Sequence, residues 1–257
     1  MKNIVISLES AVERRKHINE EFGKHKVDFE FFDALTPDLA KDFANNLGLN
    51  LKDAKLTPGE LACMMSHVAI WKKTIDENIP YVTVFEDDIY LGEDAEELLN
   101  RSTWIKPEWN VIKIETVLKK IIYAQKSYNI QGVTRQLHQL KSKHLGTGGY
   151  ILSLKGSHTF FNYINKTILR PLDELIFEEF ILNYDEPIYQ MKPALCIQEI
   201  ILAGPDADLL LPSLLINERK DRMKANKTTG FNKVRRELKR VAQQTKKALL
   251  AKEIAFK

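Results

Sequence analysis

Along this chain, compact apolar blocks alternate with longer stretches in which apolar residues return every third or fourth position. The blocks suit buried strands and the longer spacing suits amphipathic helices. Residues 4–8 read as a short buried strand. The Ser10-x-x-Glu13 spacing then predicts a capping box and a helix running towards Phe22. Residues 27–32 carry the alternation and aromatic content of a second strand, ending at Asp33. The mixed stretch 37–55 predicts one short helix.

The clearest helix is "LTPGELACMMSHVAIWKKTIDEN". Thr57 is placed to cap it, Pro58 suits its first position and Glu60 completes a capping box. Leu61, Met64, Val68, Trp71 and Ile75 follow one face at helical spacing. A strand at 81–85 comes next, and Asp94 is expected to start a helix through Leu99. Residues 109–114 and 150–154 read as further strands. Residues 156–168 and 171–183 read as helices, with Pro171 in the first turn of the second. Strands alternating with helices predict an α/β architecture, a largely parallel mixed sheet with flanking helices. In such sheets ligands bind at the carboxyl ends of the strands.

One strand end is chemically unusual. The run Tyr81-Val82-Thr83-Val84-Phe85 stops in three consecutive acids, Glu86, Asp87 and Asp88. Adjacent carboxylates repel one another and resist desolvation, so water or a cation must cover them. Side chains alternate along a strand, which points Glu86 and Asp88 to one side and Asp87 to the other. Two carboxylates on one side make a hard oxygen site for Mn²⁺ or Mg²⁺ held together with phosphates. The alternative is a solvated acidic loop that starts the next helix.

Composition narrows the class. With 257 residues, 44% of them hydrophobic, the chain can fill a real core in one large domain or two small ones. Its two cysteines, Cys63 and Cys196, suggest no disulfide framework and fit a reducing cytoplasm. No Gly-x-Ser-x-Gly elbow, His-Glu-x-x-His or Cys-x-x-Cys occurs, so the ordinary hydrolase and zinc motifs are missing. The N-terminal apolar run of five residues is too short for a signal-peptide core, and no stretch approaches a membrane span.

The net charge of +3 conceals a division. Residues 219–257 hold 14 Lys+Arg against 3 Asp+Glu, whereas residues 1–218 hold 24 basic and 32 acidic side chains. This predicts an acidic globular domain, 1–218, and a basic segment, 219–257. Phe231, Val234, Leu238, Val241, Ala248 and Leu249 can line one side of a helix, with Lys and Arg on the other. Such a helix suits an anionic membrane surface; a disordered solubilising tail is the alternative. The segment has no Trp or Tyr for base stacking, and no nucleic-acid partner is expected.

Several words occur in one order over roughly residues 3–200: "VISLESAVERR", "FFDAL", "LTPGELACMMSHVAIW" and "VFEDDIYL", then "GTGGYILSLKGS" and "PLDE". Together they resemble glycosyltransferase family 25, the lipooligosaccharide galactosyltransferases of Gram-negative bacteria. The resemblance implies a GT-A-like nucleotide-sugar-binding fold, inversion at the anomeric carbon, a UDP-hexose donor and a Mn²⁺ or Mg²⁺ cofactor. Glu86-Asp87-Asp88 then matches the Asp-x-Asp motif that ties the metal to the diphosphate. The match is not literal, leaving Glu86 or Asp87 to partner Asp88.

The same resemblance implies roles for other residues. Asp173, in "RPLDEL", matches the family's Pro-x-Asp and is the candidate general base; it could instead join the metal shell, or be an ordinary first-turn acid. Glu60 and His67 fall within the Gly-Glu…Ser-His word and become donor-site candidates; by themselves they read as a capping residue and a helix-boundary histidine. Ser7, Leu8 and Asp87 are implied at the donor. Arg14 and Arg15 either pair with diphosphate or form a solvated helix face. Asp33 could receive ribose or uracil hydrogen bonds. Gly148 and Gly149 either let backbone approach the donor sugar or form a turn, and His144 is a candidate third metal ligand. The expected activity is transfer of a hexose, galactose by resemblance, onto lipooligosaccharide at the cytoplasmic face of the inner membrane, where the protein is peripheral. The rivals are a nucleotidyltransferase acting on a sugar phosphate and a non-catalytic membrane-docking adaptor.

Overall fold

The computed structural model describes residues 1–204, 209–211 and 250–257. The chain begins with β1 (Lys2–Ser7), α1 (Val12–Lys24), β2 (Glu30–Asp33), α2 (Pro37–Asn46), α3 (Pro58–Asp76) and β3 (Tyr81–Glu86). It continues through β4 (Ile89–Leu91), α4 (Ala95–Leu99), β5 (Val111–Lys113), β6 (Glu115–Thr116), β7 (Tyr123–Asn129) and β8 (Gln136–Leu140). Then follow β9 (Gly149–Ser153), α5 (Leu154–Ile164), β10 (Ile188–Lys192) and β11 (Cys196–Gln198). Between α5 and β10 a helix runs Leu172–Glu174, widens into a π-helical turn over Leu175–Glu179 and returns to α over Phe180–Asn183.

Eight strands form one mixed sheet in the order β2-β1-β3-β9-β5-β10-β8-β7. β1 is parallel to both β2 and β3, and β5 is parallel to β10. β9 runs antiparallel between β3 and β5, and β8 and β7 close the far side as antiparallel neighbours. A small second sheet, β4-β11-β6, stands beside the carboxyl end of β3. Its register sets Gln198 opposite Ile89 and Cys196 opposite Glu115. That register carries Gln198 to the acids.

Both faces of the central strands are covered, which is why they read as unbroken apolar runs. Ile4, Ile6, Val82, Val84, Tyr150 and Leu152 face α2, α3, α5 and the 172–183 helix in one core. Val5, Phe85, Ile112 and Ile151 face α1 and α4 in the other, with Phe22 and Trp109 among its largest members. Fully burying a side chain of this kind stabilises by about 1.5–3 kcal/mol. A three-layer α/β domain results.

The helix starts divide by local geometry. Thr57 Oγ1 accepts from the Glu60 amide at 3.1 Å and Glu60 Oε2 accepts from the Thr57 amide at 3.0 Å, so the expected capping box forms. The box expected at Ser10 does not. There the Ala11 amide donates to Leu8 O at 3.0 Å and Ala11 becomes the N-cap, with no side-chain cap bond, so Glu13 stands one position out of frame. Asp94 does precede α4, but in a left-handed conformation and without a side-chain cap bond; its carboxylate lies 3.5 Å from Arg135 Nε instead.

The end of the basic segment is not separate from the globular part. Ile254 is fully buried and its carbonyl accepts from Thr116 Oγ1 at 2.7 Å. Lys252 bridges antiparallel to Ile121, and the Ala194 amide donates to Ala255 O at 2.8 Å. The amphipathic stretch expected from Phe231 to Leu249 lies outside the described residues. No described helix is long and apolar enough to cross a membrane.

Candidate active site

β3 ends at Glu86, and the turn that follows it carries Asp87 and Asp88 at the carboxyl edge of the sheet; the three acids divide between two sides as expected, though Asp87 and Asp88 lie in a turn and not in the strand. Gln198 Nε2 donates to Glu86 Oε2 at 2.9 Å and to Asp88 Oδ1 at 3.1 Å, so these two carboxylates share one side. Asp87 turns the other way. Its carboxylate accepts from Ser7 Oγ at 2.7 Å and from Arg14 Nη1. Arg14 also approaches Asp88, with Nη2 3.8 Å from Oδ2. Burial works against the Arg14 charge, but Asp87 and Asp88 outweigh it and raise its pKa above the ordinary arginine value.

Asp88 is the strained member of the pair. Burial first, and then the Glu86 charge, push its pKa up to about 7, against the opposing pull of Arg14 and Gln198. Two carboxylates held side by side, one of them reluctant to ionise, gain from a cation that both can bind. Oxygen donors alone suit Mn²⁺ or Mg²⁺. The pair fits the expected metal, with Gln198 Nε2 as the positive end of a dipole between the two oxygens.

Arg15 serves the neighbouring strand ends. It donates to Ser7 O at 3.0 Å, to Leu8 O at 3.1 Å and to the exposed carboxylate of Asp33, and it stacks over Phe31. Neither arginine is an idle solvated face. Ser7 and Leu8 take part through these same bonds.

A small cavity beside the acids is lined by Glu60, Cys63, Thr147, Pro171, Leu172 and Asp173. Thr147 joins the two regions, because its hydroxyl donates to Glu86 Oε1. Asp173 opens the helix after Pro171; its Oδ2 accepts from the Gly146 amide at 3.3 Å and its Oδ1 from the Glu174 amide at 2.9 Å. Those bonds aim it along the cavity wall, just before the π-helical turn. Glu60 is thus both the capping residue and a wall of the cavity.

His67 departs from the boundary position expected of it and is fully buried, because α2, α5 and the sheet together cover α3 over most of its surface. Its Nδ1 meets Tyr150 Oη at 2.8 Å, and Trp71 Nε1 donates to the same oxygen at 2.9 Å. This fixes the other edge of the ring, with Nε2 3.8 Å from Glu86 Oε1.

His144 does not supply the third metal ligand. Its Nδ1 is bonded to Gln190 Oε1 at 2.7 Å and its Nε2 faces the Val117 amide at 3.5 Å, so both ring nitrogens are engaged. Burial, with Lys113 nearby, lowers its pKa to about 3 and keeps the ring neutral.

The glycines beside it have a packing reason. A Cβ on Gly148 would meet Glu115 Oε1 at 2.8 Å and Gln198 Cγ at 2.9 Å, and one on Gly149 would meet Cys196 Sγ at 2.2 Å. They let the small sheet close against β9. Beneath them Lys113 Nζ donates to Glu115 Oε2 at 2.8 Å, a fully buried pair that carries no sequence signal of its own. Burial raises the Glu115 pKa, and Lys113 opposes it.

The pattern of glycosyltransferase family 25 (LPS biosynthesis protein) matches residues 1–176. A lacto-N-neotetraose biosynthesis glycosyltransferase of Neisseria meningitidis serogroup B is 34% identical over 275 residues, covering 96% of this chain and 95% of that protein. Lipooligosaccharide biosynthesis protein lex-1 of Haemophilus influenzae is 33% identical over 259 residues, covering 88% and 85%. Among solved structures, a galactosyltransferase in complex with donor and acceptor sugar analogs superposes with a TM-score of 0.40 at 10% identity, covering 90% of this chain and 98% of that one. The strand-end acids, the cavity at Asp173 and these long matches meet in one statement: this chain belongs to glycosyltransferase family 25 and is a glycosyltransferase.

Proposed function

We propose that the protein is an inverting, metal-dependent hexosyltransferase that takes galactose from UDP-galactose and joins it to a lipooligosaccharide acceptor. One observation carries this reading: Glu86 and Asp88 face a common donor at the carboxyl end of β3, beside the cavity that Asp173 lines. Glu86 and Asp88 would hold Mn²⁺ or Mg²⁺. When bound, such a cation neutralises the charge that develops on the departing diphosphate.

The chain's own groups divide the remaining work. Arg14, on α1, holds Asp87 and braces Asp88, which sets the shape of the acid cluster. Asp173 takes the proton of the acceptor hydroxyl as that oxygen bonds to the anomeric carbon and UDP leaves. Thr147 ties Glu86 to the cavity, so donor and acceptor share one wall.

Relatives named for lacto-N-neotetraose and lipooligosaccharide biosynthesis support an oligosaccharide acceptor. A lipid-linked acceptor gives the basic residues of 219–257 a reason to meet an anionic membrane surface, on the cytoplasmic face of the inner membrane. The test is a panel of UDP-sugars assayed for metal-dependent UDP release, with and without glycoside acceptors. Transfer from UDP-galactose with an inverted product is expected. Release of pyrophosphate from a nucleoside triphosphate and a sugar phosphate would replace this reading with the nucleotidyltransferase.

A further inference from the structure

Directly behind the acid pair lies a second set of donors, different in chemical character. Cys63 Sγ, His67 Nε2 and a Glu86 carboxylate oxygen all fall within 4.8 Å of one another, the sole trio of its kind among the described residues. Cys63 and His67 stand four residues apart on α3, so one helical face presents both. His67 Nε2 is completely buried and makes no hydrogen bond, although burying a polar nitrogen without one is costly. It faces Glu86 Oε1 at 3.8 Å.

We infer that Cys63, His67 and Glu86 form an inhibitory site for Zn²⁺, sharing Glu86 with the site that holds the donor's metal. A thiolate, an imidazole and one carboxylate are a borderline-soft set that selects zinc over Mn²⁺ or Mg²⁺. Ligands about 2.0–2.3 Å from a tetrahedral zinc stand roughly 3.3–3.8 Å apart, so small side-chain rotations close the trio. Water or a substrate oxygen takes the fourth position from the cavity that Cys63 lines. On binding, the Cys63 thiol gives its proton to solvent. His67 coordinates through Nε2, while its Nδ1–H donates to Tyr150 Oη, which orients the ring from the far side. Glu86 is drawn towards α3 and away from Asp88.

The inhibitory consequence rests on Glu86 serving transfer as proposed above; the binding itself does not. The experiment therefore reads both on the full-length protein. Cobalt(II), a spectroscopic stand-in for zinc, is titrated into the metal-free enzyme, and thiolate-to-metal charge-transfer absorption is followed. Zinc inhibition is then measured at several Mn²⁺ concentrations.

We expect one cobalt per chain, a thiolate band lost in Cys63→Ser, and displacement of the cobalt by zinc. We also expect the half-inhibiting zinc concentration to rise with Mn²⁺ and to be at least about tenfold higher in Cys63→Ser. Cys196 is the only other cysteine and is fully buried, so a band that survives in Cys63→Ser overturns the site. Absence of a band in the folded wild type also overturns it. A band without zinc inhibition keeps the metal site and rejects its inhibitory role; no transfer at all, with the band intact, counts against the proposed function alone.

Discussion

Glu86 and Asp88 are joined through a single nitrogen: Gln198 Nε2 donates to an oxygen of each, at 2.9 and 3.1 Å. Residues 110 and more positions apart in sequence meet because β11 pairs antiparallel with β4, opposite Ile89. Gln198→Leu removes the shared donor and leaves the buried Asp88 facing the half-buried Glu86. The metal-free protein should lose about 1–3 kcal/mol, seen as a lower melting temperature at pH 8. Saturating Mn²⁺ should recover most of that loss. Equal destabilisation with and without Mn²⁺ would mean that Gln198 supports the fold and not the acid pair.

Asp88 offers a test in which function and stability move in opposite directions. Its pKa is raised to about 7 in the folded protein, mainly by burial, whereas an unfolded aspartate ionises near 3.9. The folded state therefore holds a proton that the unfolded state has released. Stability contributed by this group is full at acid pH and falls as pH rises towards and past 7. Asp88→Asn removes that loss and keeps an acceptor for Gln198. In metal-free buffer, the variant should gain stability over wild type by about 1–3 kcal/mol between pH 5 and pH 8, while transfer falls by orders of magnitude. A melting-temperature difference that does not grow with pH would refute the raised pKa.

Asp173 is separable from the donor site. A general base contributes about 10²–10⁴ in rate, so Asp173→Asn should lower transfer by that order and leave UDP-donor affinity nearly unchanged. Isothermal titration with UDP beside initial-rate kinetics makes the comparison. Collapse of donor binding would move Asp173 into the metal shell.

How far the sequence reveals this site depends on where its signals lie. The capping box at Thr57, the apolar run of β3 and the opposed directions of Glu86 and Asp87 are all local, and each appears where expected. The three strands at one side of the sheet, β7, β8 and β10, were not legible. β7, "YAQKSYN", is a polar, largely exposed edge strand with no apolar face to announce it. Gln198 reaches the acids through long-range register, which no spacing in the chain encodes. His67 reads as a boundary residue because its neighbours on α3 suggest one apolar stripe, whereas tertiary packing buries most of the helix.

The proposed membrane contact needs a test that spares the docked end of the chain. Residues 252–256 pair with Ile121 and Ala194, so deleting the whole segment would also disturb the body. Changing Lys233, Arg235, Arg236, Lys239, Arg240, Lys246 and Lys247 to Gln leaves residues 250–257 in place. Each basic residue near an anionic leaflet contributes about 1 kcal/mol, so co-sedimentation with anionic vesicles should fall by orders of magnitude, with turnover of a small soluble acceptor retained. Unchanged sedimentation would place membrane contact elsewhere or remove it.

The most direct measurement is the mutual dependence of metal and UDP binding. Mn²⁺ binding followed by electron paramagnetic resonance, with and without UDP, reports on Glu86 and Asp88 without requiring knowledge of the acceptor. One Mn²⁺ per chain is expected to bind tightly only when UDP is present, and Asp88→Asn and Glu86→Gln should each abolish that coupling in a protein that remains folded. Equally tight UDP binding by wild type and both variants in the presence of EDTA would contradict a donor held through a metal at these two carboxylates.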